Sequence, residues 1–553
     1  MSSAVSRMLV PRGTLEIDGI TGELAAGETL FERAEALGVH VPTSCIKQGK
    51  CRECLVEVEA GGELLSPPAP QEQHLQGRFR LACRTRLAHA GEVRCHTLRR
   101  GALRIETTTE GLDESRVRLD PAVTRDGRFV LLDGEPLAEA AGPLHGLALD
   151  VGTTTVALRL YDLESGRLVA THSFENPQRF GGSDIMARIH YDGEHGARLL
   201  QRTLLGYLSR AIASLPADPL TIYELVVAGN PTMRDLLFGL DVQPIGVMPY
   251  RSTTEVALAE GRATTTSLSV KARRLRLPVH PEARVYGLPL VGSHVGADAA
   301  ACLLATGIAE SETLAAIVDI GTNTEAFLGN RERLLAASCP AGPAFEGGGV
   351  SFGMPALEGA IERVRLDASG EVTLEVIGGG APVGLCGSGL VDLLSELRRS
   401  GRMNAQGRLS DDSQAFPLGH GLSLSEGDVN ELAQAKGANA AGVRVLAETY
   451  GVPLQRIERL YLAGGFARHI DVDAARRVGL VPDLPAERIV KVGNAALLGA
   501  SMTLLSCSRR SELEALVRRV EHVRLETHPH FFDFFVDGCQ FEPFGTAVGL
   551  PRG

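Results

Sequence analysis

Leu147-Ala148-Leu149-Asp150-Val151-Gly152-Thr153-Thr154-Thr155 is the stretch from which the chain is best read. Apolar and small residues lead into an acid, a glycine frees the backbone, and three hydroxyls follow. Val156 to Tyr161 then resumes as a strand. The pattern predicts a tight turn between two strands that aims N–H groups and hydroxyls at a phosphate, with Gly152 allowing close approach. A carboxylate at the start of such a turn suits Mg²⁺, directly or through water. Asp-x-Gly-Thr also occurs in plain hairpins, so one copy leaves both readings open.

The pattern returns at Ile317-Val318-Asp319-Ile320-Gly321-Thr322-Asn323-Thr324. Both copies continue alike: a strand, a glycine-bearing turn (Glu164 to Gly166; Gly329-Asn330), and another strand. The separation is far too long for a solenoid repeat. It predicts a duplicated domain whose two phosphate hairpins face one nucleotide.

The chain has 553 residues, which suggests three or four domains. A hydrophobic fraction of 44% with 22% charged residues is that of a globular protein. Its formal charge of −11 argues against nucleic acid or an anionic membrane as the main partner. No eighteen-residue apolar run exists, so no membrane span is expected. Pro11 and Arg12 interrupt any signal-like N-terminus, and the expected location is the cytoplasm. Ten cysteines in that setting point to metal or redox use rather than a disulfide framework.

Four of those cysteines form a pattern. Cys45, Cys51 and Cys54 share one glycine-bearing loop, and Cys83 lies further on. Three thiolates in a loop plus one distant thiolate is the plant-type [2Fe–2S] arrangement. A zinc site is the competing reading, although zinc sites usually bring two CxxC pairs and only one CxxC occurs here. Cys95, beside His96, reads as a small buried hydrophobe. This unit resembles a [2Fe–2S] ferredoxin over most of the first hundred residues. Its first gap is C-x5-C where the plant-type spacing is C-x4-C, which leaves the sub-branch open.

Downstream, residues 99–143 read as a turn-rich connector, either a mobile linker or a packed extension of the body beginning at 144. Asp126-Gly127 and Asp133-Gly134 mark turns around a short strand at Phe129 to Leu132. Tyr223 to Ala228 reads as a buried strand, and residues 244–290 as irregular strands. The helix expected at 295–307 is so rich in small residues that another element can approach it closely. Its Asp298 is either an ordinary first-turn acid favoured by the helix dipole or the group that positions an attacking water. Leu460 to Ala463 is a buried strand ending in Gly464-Gly465, where the backbone can lie against an adenine ring. A second small-residue helix runs from Gly493 to Ser501, and the aromatic run Pro529 to Val536 reads as a strand.

Phosphate hairpin, small-residue helix, phosphate hairpin, Gly-Gly strand end and small-residue helix occur in that order. Over residues 144–506 this resembles the actin/Hsp70/sugar-kinase ATPase superfamily. With a ferredoxin domain in front, the chain resembles the reductive activators of corrinoid proteins. Glu175-Asn-Pro-Gln178, Val227-Ala-Gly-Asn-Pro-Thr-Met233, Ser338-Cys-Pro-Ala-Gly-Pro-Ala-Phe-Glu-Gly347 and Leu462-Ala-Gly-Gly-Phe466 are similar to that family's motifs.

The resemblance implies a multidomain α/β protein. An α+β ferredoxin-like [2Fe–2S] domain (1–98) and the connector (99–143) precede a duplicated actin-like, ribonuclease H-like ATPase. Its lobes would be 144–310 and 311–506, with 507–553 as an extension packing on that body. It implies that Asp150 and Asp319 hold Mg²⁺ through water, and that Gly152, Thr153, Thr154, Gly321, Thr322 and Asn323 bind phosphates. Gly464 and Gly465 would bind adenosine, and Asp298 stands in the place of the catalytic acid. The implied activity is ATP-dependent reduction of Co(II) to Co(I) on a corrinoid-binding methyl-transfer protein. An external low-potential donor would supply the electron, and a homodimer is compatible with the reading. The chain has a shorter segment between cluster and ATPase than some relatives and lacks the C-terminal cysteine clusters of another branch, which leaves the choice of partner open.

The physical problem accounts for such a fusion. A plant-type cluster lies near about −400 mV, and the resemblance implies a corrinoid couple lower still. Each ~100 mV uphill costs one electron about 2.3 kcal/mol. Lobe closure driven by ATP could change the partner's conformation and the cobalt's ligation, a lever on metal potential. The alternatives are a nucleotide-gated redox sensor or scaffold, a small-molecule kinase with a regulatory cluster, and an activator of radical dehydratases.

Overall fold

The computed structural model describes residues 12–39, 41, 47, 54–73, 75, 77–97, 118–140, 142–182, 184–196, 198–292, 294–321, 323–367, 369–410, 413–465 and 467–545. The N-terminal sheet is built from β1 (Arg12–Ile17), β2 (Ile20–Ala25), β3 (Leu55–Ala60), β4 (Phe79–Leu81) and β5 (Glu92–Thr97), in the order β2-β1-β5-β3-β4. Asp18 and Gly19 join β1 to β2 with φ of 50° and 78°, a turn whose backbone twist suits a two-residue hairpin. The helix Leu30–Ala36 covers the sheet, its start fixed by a capping box between Thr29 and Glu32.

A three-stranded meander comes next: β6 (Val123–Asp126), β7 (Phe129–Leu132) and β8 (Glu135–Glu139). Val123 and Val130 are buried in one cluster with Leu144, Ala148 and Leu504. Asp120 N donates to Leu505 O at 3.0 Å, and Cys507 N returns to Asp120 O at 2.9 Å. Of the two readings of the connector, a packed extension describes residues 118–140.

The next sheet holds β9 (His145–Val151), β10 (Thr155–Asp162), β11 (Leu168–Glu175), β12 (Ile222–Ala228), β13 (Leu268–Lys271) and β14 (Arg284–Gly287), ordered β11-β10-β9-β12-β14-β13. Strands β9 to β11 form an antiparallel meander, and β12 and β14 add in parallel. Residues 244–290, read as irregular strands, also contain the helices Thr253–Ala259 and Ala272–Leu275.

The third large sheet repeats the plan. It begins with β15 (Ala315–Asp319), β16 (Thr324–Gly329) and β17 (Leu334–Cys339). The smaller β18 (Ala360–Leu366), β19 (Val372–Val376), β20 (Gly384–Leu385), β21 (Ala415–Gly419) and β22 (Leu422–Ser425) are inserted next. The sheet then takes up β23 (Arg459–Ala463), β24 (Ile489–Gly493) and β25 (Val520–His522), giving β24-β23-β15-β16-β17-β25. In both sheets the first hairpin strand lies at the centre, its meander partners on one side and two parallel strands on the other. The duplication seen in the two Asp-x-Gly-Thr stretches is thus a duplication of topology.

Two helices of small residues, Ala297–Thr306 and Ala495–Leu505, sit between the sheets in one buried cluster fed from both. A Cβ on Gly499 would stand 2.1 Å from Ala301 O, so the helices meet backbone to backbone at a glycine. Near the end, the aromatic run expected as a strand is the helix Phe531–Gly538, packed on the helix Glu426–Tyr450. Among the described residues no helix is long and apolar enough to cross a membrane.

Candidate functional site

The two hairpins open into one cavity of about 190 Å³. Asp150, Asp298 and Asp319 line it, as do Gly152, Thr153, Thr154, Gly321 and Asn323 from the turns and Gly464 and Gly465 from the end of β23. Thr322 lies outside the described residues.

The first turn is closed by Gly152 N donating to Thr155 O at 2.9 Å. It is braced from behind. Asn176 N donates to Thr154 O at 2.7 Å, and its Nδ2 donates to Gly152 O at 2.8 Å. Arg188, wholly buried, donates from Nη2 to Thr153 O at 2.6 Å. Burial, aided by repulsion from Arg179, pulls that guanidinium down to about 9. Asn230 Nδ2 donates to Thr153 Oγ1 at 3.0 Å, while its Oδ1 caps the helix Pro231–Phe238. The turn's carbonyls are thus occupied from the protein side, which fixes the face presented to the cavity.

The second turn is held differently. Ile320 N donates to Ala463 O at 3.0 Å, and Gly464 N donates to Gly493 O at 3.1 Å. Gly464 has φ of +106°, and a Cβ there would lie 2.2 Å from Ile320 O. Only glycine lets the paired-glycine segment press against the second hairpin in this way.

Four carboxylates gather with little to neutralise them. Burial raises Asp150 to about 7; the Asn494 hydrogen bond works against this and Asp319 adds repulsion. Burial and then Asp150 raise Asp298 to about 8. Burial raises Asp319, and burial followed by repulsion from Asp298 and Asp319 raises Glu325. Asp150, Asp298 and Asp319 are partly exposed and line the cavity. Glu325 stands directly across the β15–β16 ladder from Asp319, and its buried Oε1 has no hydrogen-bond partner. Among the described residues none of these four forms an ion pair with Arg, Lys or His, and no three donors are arranged to hold a metal directly. Acids ringing a cavity without converging fit a hydrated Mg²⁺, which gives up its waters reluctantly.

Sequence reasoning missed the groups that join the two halves. Asn494 Nδ2 donates to Asp150 Oδ2 at 2.9 Å, and Thr154 Oγ1 donates to Glu346 Oε2 at 2.8 Å. Cys302 Sγ donates to Asp319 Oδ2 at 3.1 Å. Asn494 left one signal, being an N-cap residue just before a small-residue helix.

Of the four cysteines proposed as cluster ligands, Cys45 and Cys51 lie outside the described residues. Cys54 and Cys83, both buried, bring their Sγ atoms to 3.2 Å. That is well beyond a disulfide bond of about 2.05 Å. Ala82 N donates to Cys54 O at 2.8 Å, which locks the two loops together. Soft sulfurs converging from separate loops are a donor set that fits an iron–sulfur cluster. Cys95 is buried within β5, opposite Val58, where burial and nearby acids push its thiol far up. It belongs to the core.

Three family models cover nearly the whole chain. Residues 15–88 match the 2Fe-2S iron-sulfur cluster binding domain, 145–311 the RACo middle region, and 313–547 the C-terminal domain of RACo, the ASKHA domain. Among curated proteins, the corrinoid activation enzyme RamQ of Eubacterium limosum is 29% identical, over 97% of this chain and 99% of its own. The [Co(II) methylated amine-specific corrinoid protein] reductase of Methanosarcina barkeri is 26% identical, over 74% and 78%. The solved structure of a reductive activator for a corrinoid, iron-sulfur protein superposes with a TM-score of 0.70 at 27% identity, covering 96% of this chain and 98% of that one. A cluster-binding domain, an ATP-binding two-lobed body and these relatives agree: the chain belongs to the family of reductive activators of corrinoid proteins.

Proposed function

We propose that the protein uses ATP hydrolysis to reduce the Co(II) of a corrinoid-binding methyl-transfer protein to Co(I), one electron at a time. The observation that carries this is the union, in one chain, of a cysteine-bearing ferredoxin sheet and a cleft with two phosphate hairpins. An external low-potential donor supplies the electron. Cys45, Cys51, Cys54 and Cys83 would hold a [2Fe–2S] cluster, which supplies a one-electron carrier when bound.

In the cleft, Gly152 to Thr154 and Gly321 to Asn323 would receive the phosphates, and Gly464 and Gly465 the adenosine. Asp150 and Asp319 would hold Mg²⁺ through its waters, supplying charge neutralisation at the phosphates. Asp298 orients the attacking water and takes its proton as the water oxygen bonds to the γ-phosphorus and the bond to the β,γ-bridging oxygen breaks. ADP, phosphate and a proton leave. Three hydrogen bonds between the lobes, Asn494 to Asp150, Thr154 to Glu346 and Cys302 to Asp319, end on residues of the two phosphate hairpins, so a change of phosphate occupancy there bears directly on the contacts between the lobes.

The test is ATP turnover by the cluster-loaded protein with and without a corrinoid protein in the Co(II) state. An activator hydrolyses ATP faster when that partner is present and yields Co(I). Hydrolysis indifferent to the partner, with no Co(I), would instead identify a redox sensor or scaffold.

A further inference from the structure

Two buried acids from different parts of the molecule share one arginine. Glu57 lies on β3, the strand that starts right after Cys54, and is only 4% exposed. Glu175 ends β11 and is 3% exposed. Arg179 Nη1 donates to Glu175 Oε1 and stands 3.6 Å from Glu57 Oε2. Arg78 Nη2 donates to the other Glu57 oxygen at 3.0 Å. An ion pair taken out of water at such a place persists only when its partners are held in register.

Glu175 is also part of the first phosphate turn's support. It pairs directly with Thr155 across the β10–β11 ladder. The next residue, Asn176, makes the two hydrogen bonds that brace Gly152 and Thr154, and Arg188 reaches both Thr153 O and, at 3.5 Å, Gln178 Oε1. The segment Glu175–Arg179 and the turn therefore move as one body. The turn's far face lines the cavity. A displacement of this turn by phosphate has a short, wholly polar route to the strand beside Cys54.

We infer that Arg179 is a positioning residue that couples the nucleotide to the cluster domain: it links Glu175, behind the phosphate hairpin, to Glu57, on the strand following Cys54, in one bridge whose acids are buried and whose arginine is part-buried. This rests on the reading of the hairpin as a nucleotide site. Removing the guanidinium takes away the one cation that both acids share, while Glu57 keeps Arg78, so the link between the two segments is lost and the cluster-side strand keeps its own ion pair. Conversely, a nucleotide that draws the hairpin forward pulls on β3 through the bridge and changes how the cluster is presented to a partner.

Hydrogen–deuterium exchange on the cluster-loaded full chain tests this, with and without Mg²⁺ and the non-hydrolysable analogue AMPPNP. In the wild-type protein, nucleotide alters exchange in Leu147–Thr155 and also in Leu55–Ala60. In Arg179→Met the hairpin response persists and the strand response is lost. Glu57→Gln, which keeps the shape and removes the charge on the cluster side, gives the same separation should Arg179→Met fold poorly. Either variant forms at least about fivefold less Co(I) per ATP hydrolysed, at unchanged iron content. A wild-type hairpin that responds while the strand does not, or variants in which both respond as in wild type, would overturn the coupling while leaving the nucleotide site intact. A wild-type hairpin that ignores the nucleotide would remove the site reading and the coupling together.

Discussion

Asn494 Nδ2 donates to Asp150 Oδ2 at 2.9 Å across a gap of 344 residues, placing the cap of one lobe's last helix on the leading acid of the other lobe's hairpin. The same asparagine accepts from Leu497 N at 2.8 Å, so it starts the helix and fixes the acid at once. These duties can be separated. Aspartate caps helices as well as asparagine does, but here it would set a second acid beside Asp150. Asn494→Asp should therefore keep the melting temperature within a few degrees and lower kcat/KM for ATP at least about tenfold, from the loss of a hydrogen bond to a carboxylate. Asn494→Ala should lose activity and also about 0.5–2 kcal/mol of stability. Thermal melts beside ATPase kinetics decide whether the two effects part in this way.

Gly464→Ala forces a Cβ against Ile320 O at a backbone angle that suits glycine. It should abolish measurable nucleotide binding by calorimetry while leaving the visible spectrum of the cluster unchanged. Binding at wild-type strength would mean that the paired-glycine strand end is not part of the nucleotide site.

The acid cluster predicts a pH dependence with a definite sign. Asp150 is raised to about 7 and Asp298 to about 8, against an unfolded value near 4. Between about pH 4 and those values the folded nucleotide-free protein holds more protons than the unfolded chain, so its stability falls as pH rises through that window. A cation held by ionised acids reverses the balance. Mg²⁺-dependent nucleotide affinity should rise from pH 6 to about pH 8 and then level off, with proton release measurable by calorimetry in buffers of different ionisation enthalpy. Asp150→Asn should flatten much of that rise. Affinity that falls over the same range would show that these acids do not receive the cation.

Iron content should fall sharply in Cys54→Ser and Cys83→Ser, whose sulfurs meet at 3.2 Å, and in Cys45→Ser and Cys51→Ser. Cys95→Ser should retain its iron, since that thiol is sealed inside β5. Stoichiometric zinc in anaerobically isolated protein would replace the iron–sulfur assignment.

The parts legible in the sequence were those encoded over a few residues. Asp150 and Asp319 announced their hairpins because an acid, a glycine and hydroxyls must stand next to one another to make such a turn. The strand, glycine-bearing turn and strand that continue each hairpin followed from the repetition, whereas their order within each sheet came from the structure. The parts that were not legible depend on partners far along the chain. Asn494 could be read as a helix cap and Glu346 sits in a glycine-rich motif, but neither these signals nor anything near Glu325 tells which partner across the cleft each side chain meets, because that is set by how two sheets and two helices stack. Pro529 to Val536 looked like a strand on aromatic propensity. It is a helix because its apolar side lies on the helix Glu426–Tyr450, where buried Lys436 donates to Gly538 O and, at 2.6 Å, to Gln540 O. The helix Thr253–Ala259 did leave a local mark, the capping box of Ser252 and Glu255, which the irregular-strand reading passed over.

The central claim is that hydrolysis, not nucleotide binding alone, drives the electron uphill. It is tested most directly by anaerobic spectroscopy of cobalt in a corrinoid partner mixed with the reduced, cluster-loaded protein. With Mg–ATP the account predicts conversion of Co(II) to Co(I), at least about a hundredfold slower in Asp298→Asn, although that variant binds ATP and takes up an electron as wild type does. Co(I) formed at full speed with AMPPNP, or with no nucleotide, would contradict it and leave a ferredoxin attached to an ATPase that does not serve it.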